Sequence, residues 1–219
     1  MSNKLRVRFC KKGKAKYISH LDLSATIQRA FLRAGVKLKY SEGFNPHPYI
    51  SVALPLKVGD ESICELLDFA PDESFEISED LPARLTEAMP EGIEVFEIYR
   101  PERKFSEIAW VEISGILIYD SPRDKLVDAI SERLFSQSII ISKKSKSGIK
   151  DIDIAPFIKD IEINEDKNIK IKAKISAFDP SLSPENLMSA FSGEFADLMP
   201  DFYNFSRIEL YGESMEVFR

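Results

Sequence analysis

An α+β chain of two tandem ferredoxin-like modules, each ordered βαββαβ around an antiparallel sheet, is what the 219-residue sequence predicts. Three features carry this. Short stretches such as KLRVRFC and IKIKAKI alternate apolar and polar residues with the period of a strand. Longer stretches repeat apolar residues three and four apart, the spacing of one helix face. The two kinds of stretch follow one order over residues 1–103 and the same order again over 104–219, with the junction near PERKFSE.

In the first module, KLRVRFC puts Leu5, Val7 and Phe9 on one strand face and Arg6 and Arg8 on the other. A helix from about His20 to Ala34 follows, with Leu23, Ile27, Ala30, Phe31 and Ala34 as its stripe and Gly35 as its stop. ISVALPL and SICELLDF read as strands. SEDLPARLTEAM reads as a short helix with Leu81, Leu85, Ala88 and Met89 inward, and GIEVFEIY as the closing strand.

The second module opens with the strand WVEISGILIY. The helix SPRDKLVDAISERLF takes Ser121 as N-cap, Pro122 at its first position and Asp124 three residues after the cap. SIIIS and IKIKAKISAF read as strands, SPENLMSAFSGEFADLM as a helix with the same Ser-Pro start at Ser183 and Pro184, and FSRIELYGE as the last strand. GIKDIDIAPFIKDIEI is extra to the pattern, one more strand and a hairpin arm. In IKIKAKI, Lys170, Lys172 and Lys174 share one face. They read as a solvated face with lysine edge protection, in preference to a phosphate stripe joined by Lys143, Lys144, Lys146 and Lys150.

Hydrophobic residues make up 44% and charged residues 30% of the chain, as in soluble globular proteins. No apolar run approaches the roughly 18 residues that span a bilayer, and MSNKLRVRF has no secretory h-region. A cytoplasmic location without membrane contact is expected. Cys10 and Cys64 stand apart and in no CxxC or CxxxCxxC pattern, which excludes a zinc ribbon or a cysteine-held iron–sulfur cluster. No P-loop, G-x-G-x-x-G or G-x-S-x-G is present. No cofactor and no metal are expected.

The net charge of −6 is unevenly spread. Residues 1–50 hold eleven Lys and Arg against Asp22 and Glu42, a net of +9, which leaves −15 to the rest. Such a segment predicts a basic face able to meet phosphates on an acidic body.

Both histidines of the chain lie in short dense motifs. Ser19-His20-Leu21-Asp22 is a capping box at a helix start, which accounts for Ser19 and Asp22 and leaves His20 in the first turn, an anion-favouring position. In GFNPHPYIS, Gly43 permits a tight turn and Pro46 and Pro48 stiffen the chain around His47. Such a loop positions Asn45, His47 and Tyr49. His20, Asp22 and His47 have the residue types of a zinc or iron site. On a helix, however, residues two apart project about 200° apart, which argues against shared ligation by His20 and Asp22.

At KYISHLDL, RAFLRAG and KYSEGFNPHPYISVALPLKVGDES the chain resembles the bacterial radical SAM-linked proteins, also called the DUF2344 family. The resemblance is strong over roughly residues 4–70 and continues through KSGIKDIDIAPFI. It implies a radical SAM protein as partner, because members of that family are fused to one or encoded beside one. The chain itself lacks CxxxCxxC and so is not that enzyme. Tandem ferredoxin-like modules also resemble those of RNA-handling proteins.

Three readings follow. In the first, the chain is an accessory that binds or presents RNA to a radical SAM enzyme. Arg6, Arg8, Lys12, Lys14, Lys16, Arg29 and Arg33 would meet phosphates, and Phe44, Asn45 and Tyr49 would line the site, with Phe44 or Tyr49 stacked on a base. In the second, it is an RNA-processing or other enzyme with His20 and His47 as acid and base and Asp22 orienting an imidazole. In the third, it is an interaction module for the radical SAM partner.

Overall fold

The structure, a computed structural model, describes residues 4–121, 125–145 and 148–219. It is a mixed α+β fold with mostly antiparallel sheet pairing, and it divides into two compact units, Met1–Glu107 with Arg219, and Ile108–Phe218. No helix among the described residues is long and apolar enough to cross a membrane.

The first unit contains β1 (Leu5–Lys11), α1 (His20–Arg33), β2 (Ile50–Val52), β3 (Glu61–Phe69), α2 (Leu81–Ala88) and β4 (Ile93–Tyr99). β1 pairs antiparallel with β3 on one side, from Leu5↔Phe69 to Lys11↔Ser62, and with β4 on the other. β2 lines the far edge of β3 (Ile50↔Phe69), so the strand order is β4-β1-β3-β2. Alternation along β1 turns Leu5, Val7 and Phe9 into a core shared with Leu23, Ile27 and Phe31 of α1 and Leu81 and Leu85 of α2. Phe31 meets Phe69 edge-on at 4.8 Å between ring centroids. ISVALPL was expected to pair along its length. The strand ends at Val52, with one more bond from the Ala53 amide to the Leu66 carbonyl at 2.9 Å, because Leu54 takes a positive φ of 41° and Pro55 has no N–H to donate.

α1 begins as its capping box requires: Ser19 Oγ accepts from the Asp22 amide at 3.2 Å and donates to Asp22 Oδ2 at 2.7 Å. The C-terminal ends of α1 and α2 are closed reciprocally. Arg33, in the last turn of α1, donates to the carbonyl of Ala88, the last residue of α2. Arg84 of α2 donates to the carbonyl of Ala34, the C-cap of α1, and to Ser78 Oγ at 3.2 Å. Each guanidinium thus sits on the negative end of the other helix. Removing both side chains, in Arg33→Ala/Arg84→Ala, is expected to lower the stability of the chain by about 2 kcal/mol, roughly 1 per cap, read as a lower urea midpoint. An unchanged midpoint would show that water replaces both caps without cost.

The second unit contains β5 (Trp110–Ile118), α3 (Leu126–Leu134), β6 (Ile140–Ser145), β7 (Gly148–Asp153), β8 (Ile158–Glu165), β9 (Ile169–Ser176), α4 (Pro184–Met188) and β10 (Phe202–Tyr211). Its main sheet has the order β10-β5-β9-β8, and β6 and β7 form a separate two-stranded sheet. SIIIS, read as a strand of the module, lies in that separate sheet, and β8 is the neighbour of β9. β8 takes that place because only Asp166–Asn168 separate it from β9, so the hairpin closes with little loop entropy. The described part of α3 starts at Leu126. Pro122 and Asp124 of the expected N-cap, and Lys146 of the lysine cluster, lie outside the described residues.

The long helix expected over 183–199 is broken. α4 ends at Met188, and two 3-10 turns follow, Ser189–Phe191 and Gly193–Leu198. Ser189 Oγ donates to the Glu185 carbonyl at 2.8 Å and Ser192 Oγ to the Ser189 carbonyl at 2.7 Å, bonds that compete with helix continuation. The Ser183 start is retained, with Asn186 Oδ1 accepting from the Ser183 amide at 3.1 Å.

Candidate functional site

At the start of α1 the chain leaves β1 through a 3-10 turn, Gly13–Tyr17. The Gly13 amide donates to Glu61 Oε1 at 3.2 Å, and Lys16 pairs with the same carboxylate at 3.3 Å. Lys11, counted with the basic segment, is buried. Its Nζ donates to the Lys16 carbonyl at 3.0 Å, and burial lowers its pKa against the opposing pull of Glu65 and Asp60. His20 is half-buried in the first turn, and its Nδ1 is buried with no hydrogen-bond partner among the described residues. Tyr17 and Leu21 beside it are exposed.

GFNPHP forms the end of an arm, residues 40–49. Tyr40 bridges Pro48, the Ser41 amide donates to the His47 carbonyl at 2.9 Å, and the Tyr49 amide donates to the Lys39 carbonyl at 3.0 Å. His47 is held twice. Its amide donates to Ser41 Oγ at 3.1 Å, and its Nδ1 lies 3.2 Å from both Ser41 Oγ and the Asn45 carbonyl. Gly43, at a φ of 113°, makes the turn that carries Phe44 outward. Phe44 is fully exposed, at 110% of the reference area, with Tyr40 at 45% and Tyr49 at 46%.

The fold keeps the two histidines apart. The arm leaves the sheet at the Leu5 end of β1, because Ile50 and Leu5 both pair with Phe69. His20 follows from the Lys11 end. Seven strand residues span roughly 20 Å, so His20 and His47 do not share a proton relay. Asp22 belongs to the His20 end, with its carboxylate on Ser19 Oγ. Among the described residues no three His, Cys, Asp or Glu side chains are grouped to hold a metal ion.

The basic segment is largely neutralised by the strands on either side of it. Arg6, on the sheet face away from the helices, is fully buried: it grips Asp68 through two bonds of 2.7 and 3.0 Å, donates to the Arg103 carbonyl at 2.9 Å and stacks 4.3 Å from the Phe105 ring. Arg8 lies 3.7 Å from Glu97, and Lys12 lies 3.3 Å from Glu94. Lys16 and Arg33 are bound as described above. Arg29 is exposed, with Thr26 Oγ1 at 3.5 Å, and Lys14 is exposed. Arg6, Arg8, Lys12 and Lys16 thus each face a carboxylate and Arg33 caps a helix, while Lys14 and Arg29 remain open to solvent. The β9 lysines are likewise paired, Lys170 with Asp166, Lys172 with Glu112 and Lys174 with Asp160.

Two cations outside the expected set stand by the arm, Lys37 and Lys39. Both are exposed on either side of buried Leu38. The signal for them in the sequence is the alternation K-L-K-Y leading straight into the GFNPHP turn.

A family model described as "Uncharacterized protein conserved in bacteria (DUF2344)" matches residues 4–184. No curated protein matches the chain. Among solved structures, a chain of "Crystal Structure of a Cbf5-Nop10-Gar1 Complex" is similar in fold, with a TM-score of 0.52 and 10% identity, over 94% of this chain and 48% of that one. This chain therefore spans about half the length of that protein. "Crystal Structure of an Unknown Protein from Galdieria sulphuraria" aligns over 94% of this chain and 99% of that chain at 9% identity, but its TM-score of 0.28 carries no argument.

Proposed function

We propose the following for this chain, which belongs to the bacterial DUF2344 family: it is an accessory protein that binds RNA and works beside a radical SAM enzyme, to which it presents that RNA. The observation that carries this reading is the arm. It displays a fully exposed Phe44 and two half-exposed tyrosines on a backbone fixed by Ser41, His47 and two prolines. An unpaired base needs a rigid aromatic face on which to stack, and such faces are sequence-tolerant. The strand orders β4-β1-β3-β2 and β10-β5-β9-β8 support two ferredoxin-like modules as its frame, the second with the β6–β7 hairpin inserted. The radical SAM partner is proposed from the family resemblance.

Phe44→Ala is expected to weaken binding of single-stranded RNA about tenfold, the loss of one stacked base. Its fully exposed position keeps the effect on folding small. Unchanged affinity would overturn the assignment of the arm. The interaction-module reading is favoured by a separate observation, exposed Tyr17 and Leu21 at the opposite end of the unit. Co-purification with the radical SAM protein that survives high salt and depends on Tyr17 and Leu21, without RNA binding, would replace the RNA reading with that one.

A further inference from the structure

We infer that Lys37 and Lys39 are the phosphate-contacting residues of the arm, and that with Tyr40, Phe44 and Tyr49 they form a track for single-stranded nucleic acid. The inference rests on the RNA reading above and assigns its cationic half to two lysines of the basic segment other than the seven cations first expected to meet phosphates.

The segment Lys37–Tyr40 is extended and held in register. The Asp72 amide donates to the Lys37 carbonyl at 2.8 Å, the Lys39 amide donates to the Ala70 carbonyl at 2.9 Å, and Leu38 bridges Pro71. Alternation along an extended chain turns Leu38 into the core and puts both lysines on the opposite face, about 7 Å apart. Their backbone is therefore fixed while their ammonium groups remain in water. Neither forms an ion pair among the described residues, unlike Arg8, Lys12 and Lys16. Asp72 feels both lysines without an ion pair to either, and its carboxylate accepts from the amide and hydroxyl of Ser74 at 3.0 and 2.6 Å. A cation outside a close ion pair keeps an exchangeable counterion, and release of that counterion drives phosphate binding.

The aromatics adjoin the lysines directly. Tyr40 follows Lys39 in sequence, and Tyr49 is bonded to the Lys39 carbonyl across the arm. Phe44 lies beyond them at the tip. Ammonium groups beside successive aromatic faces fit a backbone whose bases are unpaired and splayed, and do not fit a duplex, whose bases are stacked on one another. Glu42 is the one carboxylate within the arm, and it lies on the tip side of the lysines.

The test titrates the whole chain with fluorescent single-stranded oligouridylate across a salt series. It compares wild type with Lys37→Gln/Lys39→Gln and, as a control, Lys167→Gln in the β8–β9 turn. All three residues are exposed, so folding is preserved. The double variant is expected to lose about 1.4 from the slope of log K against log salt, the single-strand value for two phosphates, and the control none of it. Wild-type binding with an unchanged slope in the double variant overturns the assignment of these lysines and leaves the RNA reading standing. Equal affinity for the oligonucleotide and for a duplex overturns the single-strand track. Absence of wild-type binding at low salt overturns the RNA reading itself, and with it this inference.

Discussion

Arg6→Ala is expected to destabilise the chain by about 3–5 kcal/mol, the loss found when one partner of a buried ion pair is removed. The side chain is fully buried and Asp68 retains only 13% exposure, so the variant leaves a carboxylate with little water and no counter-charge. The same substitution removes the contact that ties residues 103–105 to the sheet, through the Arg103 carbonyl and the Phe105 ring. Arg6→Lys keeps the charge but not the two-pronged grip or the planar stack, and is expected to recover only part of the loss. The readout is the urea midpoint of each variant with unchanged slope. A loss below 1 kcal/mol for Arg6→Ala would mean that Asp68 rehydrates inside the folded chain.

Gly92→Ala is expected to cost about 3 kcal/mol, because two penalties add there. Gly92 has a φ of +93°, a region that L side chains avoid. An added Cβ would lie 2.2 Å from the Lys12 carbonyl oxygen and 3.0 Å from Ala15 Cβ. The approach is close because the Lys12 amide donates to the Gly92 carbonyl at 2.9 Å, binding the exit of β1 to the entry of β4. The obstacle is backbone, so no rotamer change relieves it. A thermal or urea midpoint equal to that of wild type would show that the β1–β4 junction yields without cost.

Local periodicity made much of the first unit legible. α1 runs from His20 to Arg33 and β3 from Glu61 to Phe69 because apolar spacing, a capping box and flanking turn residues all point the same way. Pairing between distant segments was less legible. SIIIS and GIKDIDIAPFIKDIEI both carry strand character, and only loop length decides that β8 lies beside β9. The broken helix after Met188 depends on serine hydroxyls turning back onto the chain, which apolar spacing does not report.

The cations of the basic segment are distributed by the fold, because charge along a segment is not charge on a surface. The carboxylates that neutralise Arg6, Arg8, Lys12 and Lys16 are Asp68, Glu97, Glu94 and Glu61, all supplied by β3 and β4. A central strand receives its partners from both sides, and those partners lie dozens of residues away. Similarly, two histidines close in sequence fall at opposite ends of one strand, because α1 and the following segment carry the chain back along the sheet. What the sequence did indicate was stiffness around His47, and in the structure that stiffness holds Phe44 in solvent.

The central claim to test is that the folded chain binds unpaired RNA through charge and stacking together. The direct measurement is the affinity of the wild-type protein for single-stranded oligouridylate as salt is raised. Binding at low salt is expected to fall linearly on a log–log scale, with a slope of about −1.4 or steeper, corresponding to two or more phosphate contacts. No binding at low salt, or an affinity indifferent to salt, would contradict it.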